Sequence, residues 1–94
     1  MPKLKPDPKE EARRVVRACL ANNMALYNLE DEQVALKLQM VPKTLRNKRN
    51  RPETFTLAEL WGAAQTLKLS PVQAASIVLG RPLTSKEIKE FILM

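Results

Sequence analysis

The chain has 94 residues, 16 basic and 10 acidic, and a formal charge of +6. That length holds one small domain with a modest core, and an apolar fraction of 45% argues against a wholly disordered chain. One cysteine excludes an internal disulfide, the absence of histidine removes the commonest general base and zinc ligand, and no apolar run reaches the roughly 18 residues of a membrane span.

Residues 1–6 read as a flexible basic arm carrying Lys3 and Lys5, kept extended by proline. They lack the apolar segment of a secretory leader, so the cytoplasm is the expected address. Asp7 is placed to cap a helix over Pro8–Tyr27, with Pro8 at its first position and Glu10 completing a reciprocal capping box. Ala12, Val15, Val16, Cys19, Leu20, Asn23, Met24 and Tyr27 recur at helical spacing. Arg13, Arg14 and Arg17 fall on or near the outer face. Asn28 can close the helix in a left-handed turn. A second helix runs from about Asp31 to Leu38, with Val34, Ala35 and Leu38 turned inward. Asp31 and Glu32 suit the positive end of its dipole.

Gln39-Met40-Val41 is a short linker to a third helix that opens at Pro42. Two helices so joined read as a helix-turn-helix. Five of the eleven residues in 41–51 are basic and none is acidic. A helix from Pro42 places Lys43, Arg46, Asn47 and Asn50 at i, i+3, i+4 and i+7, hence on one face, with Leu45 on the other. Lys and Arg can donate to guanine N7 and O6, and Asn can pair with adenine N6 and N7. The base-reading candidates are therefore Lys43, Thr44, Arg46 and Asn47. Gln33, Lys37, Lys48, Arg49, Asn50 and Arg51 are the phosphate-binding candidates.

Pro52 breaks the chain after this helix. Thr56 and Glu59 form a capping box for a fourth helix, whose inward stripe is expected to be Leu57, Leu60, Trp61, Ala64 and Leu67. Ser70-Pro71 opens a fifth helix that runs to Leu79 and stops at Gly80. Thr84 and Glu87 mark the last one. No segment alternates with period two. The fold class is thus all-α, a five- to six-helix bundle: arm 1–6, then one domain over 7–94 with its core in 8–80 and a short helix in 84–93. Val78, Ile88, Phe91 and Ile92 would be exposed in a monomer and are the dimer-interface candidates, unless the last helix folds back over the first.

The run Val34-Ala35-Leu36-Lys37-Leu38, the short turn and Thr44-Leu45 resemble the helix-turn-helix of the phage lambda repressor and Cro superfamily. Phe55-Thr56-Leu57-Ala58-Glu59-Leu60 resembles a helix that follows the recognition helix in its phage-borne members. The similarity covers roughly residues 10–80. It implies a five-helix domain that binds operator DNA, usually as a two-fold dimer, with Ala35 at the helix crossing and Leu45 as anchor. Three positions depart from the pattern: Gln39 replaces the usual turn glycine, Val41 the usual hydroxyl cap, and Lys48 a common apolar anchor.

The expected function is sequence-specific binding of double-stranded DNA by a homodimeric repressor of phage or prophage type, acting by operator occupancy. No cofactor, metal, membrane or small-molecule substrate is expected, and no nucleophile–base constellation suggests catalysis. The alternative is a protein-interaction module of the same fold, an antitoxin or phage anti-host factor that grips its partner with the last two helices. Salt separates the two, because duplex binding weakens steeply as counterions accumulate.

Overall fold

The computed structural model describes residues 7–93, and their side chains as far as residue 90. The arm at 1–6 and the side chains of Phe91 and Ile92 lie outside the described residues. Six α-helices follow in order: α1 (Pro8–Leu26), α2 (Asp31–Lys37), α3 (Pro42–Asn50), α4 (Leu57–Thr66), α5 (Pro71–Leu79) and α6 (Ser85–Leu93). A single 3-10 turn, Pro52–Thr54, separates α3 from α4. There is no strand among the described residues.

Local chemistry fixes the helix ends. The Asp7 carboxylate accepts from the Lys9 amide at 3.0 Å. Glu10 does not complete that box; its carboxylate is taken by Arg13 at 3.1 Å and Arg17 at 2.7 Å. A guanidinium pair binds a carboxylate more strongly than one neutral amide does, and so wins. The boxes at Thr56/Glu59 and Thr84/Glu87 form as the spacing predicts, and Ser70 forms a further one with Gln73. Asn28, Gln39 and Lys68 all adopt positive φ, at 55°, 58° and 52°. Each closes its helix with the next amide bonded back to a carbonyl in the last turn: Leu29 to Met24, Met40 to Ala35 and Leu69 to Ala64. Gln39 and Lys68 hold this left-handed geometry at a cost on the order of 1 kcal/mol each, since their Cβ crowds the carbonyl. Gly80 reaches it freely at φ 73°, where Ala12 leaves no room for a Cβ.

The core gathers Val16, Leu20 and Met24 of α1, Val34 and Ala35 of α2, Leu45 of α3, Phe55 of the loop, Ala63 of α4 and Leu67 just after it. Leu20, Val34, Leu45 and Leu67 are the largest fully buried side chains. Each contributes roughly 1.5–3 kcal/mol by leaving water. Leu45 fastens α3 to the body and so leaves the opposite face of that helix outward.

The inward stripe of α4 differs from the sequence expectation. Ala63 and Leu67 are buried and Leu60 partly so, but Trp61 is 63% and Leu57 60% exposed. Ala63 is small enough to sit at the helix crossing, and Gly62 lets α4 approach Leu38 of α2. That orientation rotates Trp61 out.

Among the described residues, Asn23 is the one large polar side chain in the core, 2% exposed. Its amide donates to the Leu67 carbonyl at 2.8 Å and to Gln73 Oε1 at 3.1 Å, and it accepts from Gln73 Nε2 at 2.7 Å. This exchange joins α1 to the end of α4 and the start of α5. No helix among the described residues is long and apolar enough to cross a membrane.

Candidate functional site

The basic residues of 41–51 divide sharply by direction. Val41 precedes α3 without a side-chain cap, and Pro42 supplies the first helical position. Leu45 is buried at 2% exposure, which fixes the roll of the helix. Lys43, Arg46, Asn47 and Asn50 are exposed together on the opposite face, and Arg51 is exposed just beyond them. Thr44 stands half-buried at the edge of that face. The nine residues of α3 span about 14 Å.

Lys48 and Arg49 point elsewhere. Lys48 Nζ lies 2.8 Å from Glu59 Oε1 and 3.0 Å from the Thr54 carbonyl, and 6.0 Å from the centroid of the Phe55 ring. Its hydrogen bond holds the Glu59 carboxyl below the usual carboxylate range, with the Thr56 amide adding to the effect. An ion pair thus occupies the position of the expected apolar anchor, and it ties the last turn of α3 to α4. Arg49 donates to Asp31 and reaches Met24 Sδ at 3.4 Å. Both cations are engaged inside the molecule because their positions on α3 face α1, α2 and α4 rather than solvent. The sequence expectation places both with the phosphate-binding group; the structure pairs both within the molecule.

Two arginines of α1 turn toward the same region rather than outward. Arg17 donates to the Asn50 carbonyl at 3.2 Å, where the negative end of the α3 dipole favours a cation. Arg13 pairs with Glu53 at 2.9 Å and pulls its carboxyl below the usual range. Arg14 alone of the three is exposed.

On α2, Gln33 and Lys37 are exposed. The Gln33 amide oxygen accepts from the Glu30 amide at 2.8 Å, so its Nε2 remains as the outward donor. Asp31 starts α2 as the sequence expects, and its side chain also faces α3. Its carboxylate lies 2.9 Å from Arg49 and 3.5 Å from Arg46.

The acids nearest α3 are therefore neutralised: Glu59 by Lys48, Glu53 by Arg13, Asp31 by Arg49. Lys37, Lys43, Arg51 and about half of Arg46 remain exposed, as do the amide side chains of Asn47 and Asn50.

Of the interface candidates, Val78 is 80% exposed. Ile88 is partly covered; Leu83 and Ile88 line a cleft of about 340 Å³ with Val72, Ala75 and Leu79 of α5. Cys19 is half-buried, and desolvation pushes its thiol pKa up, away from reactivity. No group of three His, Cys, Asp or Glu residues could hold a metal among the described residues. Comparison with protein-family models, with characterised proteins and with solved structures finds no match for this chain.

Proposed function

We propose that this chain binds double-stranded DNA sequence-specifically by laying α3 in the major groove, and that it acts as a small repressor of phage or prophage type by occupying its site. One observation carries the reading: α3 keeps its single large apolar residue inward and turns Lys43, Arg46, Asn47 and Asn50 to solvent together. Those side chains are donors suited to guanine and adenine edges. The α2–turn–α3 unit then serves as a helix-turn-helix. Lys43, Arg46 and Asn47 read bases, Thr44 touches the edge of the footprint, and Gln33, Lys37, Asn50 and Arg51 hold the phosphates on either side. Two copies joined near Val78 would set their α3 helices about one DNA turn apart, roughly 34 Å.

Selection of bound duplexes from a random library tests this. A shared, near-palindromic site is expected. Arg46→Ala should then relax preference at one base position, and Arg51→Ala should weaken all sequences alike and lower the salt slope by about 0.9. Equal losses on selected and random duplexes for both variants would refute the division of roles.

A protein-interaction module is the second reading, favoured by the outward Trp61, Leu57 and Val78. Trp is prominent among residues that dominate protein interfaces. Absence of duplex binding at low salt, together with a tight protein partner lost in Trp61→Ala, would establish it instead.

A further inference from the structure

Asp31 stands apart among the acids of this surface because it contacts the exposed face of α3 as well as its inner side. It occupies the first position of α2, 23% exposed, and looks across the angle between α2 and α3. Arg49 Nη2 lies 2.9 Å from one carboxylate oxygen and 3.1 Å from the other. Arg46 Nη1 lies 3.5 Å from the second oxygen, with its own side chain 51% exposed. One carboxylate thus hydrogen-bonds an inward guanidinium and forms a longer ion pair with an outward one.

We propose that Asp31 is an internal stand-in for phosphate that makes α3 selective, and this inference rests on the DNA-binding reading above. An arginine already paired with a carboxylate gains little by exchanging it for a phosphate, because the two anions offer similar hydrogen bonds. The carboxylate also offsets part of the positive charge that this face would otherwise present to the DNA backbone. Random duplex, which binds through phosphate alone, is therefore penalised. A guanine edge is different. Arginine has five N–H donors in a rigid fork, and Arg46 uses only one edge of it toward Asp31. The other donors can meet O6 and N7 while the attraction of Asp31 biases where the guanidinium lies. Asp31 is in this sense a positioning residue: it touches no base, and acts through Arg46.

The test is a salt titration of the full chain against a selected duplex and a random-sequence duplex of the same length. Asp31→Asn should bind the random duplex about tenfold more tightly near 0.1 M salt, as one or two freed arginines steepen the log–log slope by about 0.9 each. Binding to the selected duplex should change less, so the selectivity ratio falls about tenfold. Asp31→Glu, which keeps the charge, should restore most of it. Should Asp31→Asn melt below the assay temperature, Arg49→Gln replaces it. A paired Arg49 touches no phosphate, so this variant should leave the slope unchanged, while random-duplex affinity falls because Asp31 is left to Arg46 alone. Wild-type binding to the selected duplex with unaltered random-duplex affinity and slope in Asp31→Asn, or a slope shallower by about 0.9 in Arg49→Gln, overturns the role of Asp31 and leaves the DNA reading standing. No binding of any duplex at low salt by wild type and variants alike overturns both.

Discussion

Lys48→Met separates a structural cation from a DNA-binding one. Methionine keeps the length and apolar body of the lysine stem, so the substitution removes little beyond the ammonium group. In the native protein that group meets Glu59 at 2.8 Å and the Thr54 carbonyl at 3.0 Å. The two side chains are 19% and 24% exposed, so the pair is neither a free surface bridge nor a dry one. Exposed pairs contribute about 0–1 kcal/mol, and hydrogen bonds to charged groups about 1.5–3 kcal/mol. Glu59 keeps the Thr56 amide as partner after the change, which limits the loss. We expect a destabilisation of about 1–2 kcal/mol at neutral pH, a fall of roughly 4–16 °C in Tm for a chain this size. Urea melts of Lys48→Met, Glu59→Gln and the double variant give the coupling energy, expected near 1 kcal/mol. The salt slope of duplex binding should stay at the wild-type value. Unchanged stability combined with a slope shallower by about 0.9 would show that Lys48 serves phosphate rather than Glu59, and the reasoning would fail.

Asn23→Ala removes the donor to Leu67 and the exchange with Gln73, and should cost about 2–3 kcal/mol because the abandoned groups are buried; a urea midpoint within error of wild type would contradict the packing argument. Gln39→Gly should raise stability by up to about 1 kcal/mol by relieving its positive φ, whereas Asn28→Gly should be near neutral because Asn tolerates that geometry; thermal melts of the pair decide it. Acid should weaken the fold through Glu10, Glu53, Glu59 and Glu87, all held below the ordinary carboxylate range by basic partners. A lowered folded pKa means stability that is present above the unfolded value near 4.5 and is lost as pH falls; for Glu87, held by Arg81 at about 2, the loss runs from about pH 4.5 down to about 2. Urea midpoints followed from pH 7 to 2 should show this decline, and Glu87→Gln should flatten its lower part.

Helix boundaries were legible because their causes are local. Asp7, Thr56, Ser70 and Thr84 act on residues two or three places away, and Gly80 and Asn28 on their own backbone. The outward face of α3 was legible for a related reason: one buried leucine fixes which residues must lie opposite it. Side-chain pairings between helices were not. Lys48 looks the same in sequence whether it meets a phosphate or Glu59, and only the crossing of α3 and α4 decides. Asp31 satisfies the rule for a helix start, and that sufficient local reason hides its contact with Arg46 and Arg49. Trp61 was misplaced because hydrophobicity marks a residue as able to be buried, while the helix approach through Gly62 and Ala63 sets which ones are.

The Asn23–Gln73 exchange spans 50 residues of sequence, whereas the corners at Asn28, Gln39 and Lys68 close within six. Loop-closure entropy grows with that separation, so the corners can form early and the docking of α5 on α1 must wait. Contacts made after the rate-limiting barrier slow escape from the native state without hastening arrival. The amide pair would thus act as a latch: breaking it should shorten the lifetime of the folded chain while refolding proceeds at nearly its former speed.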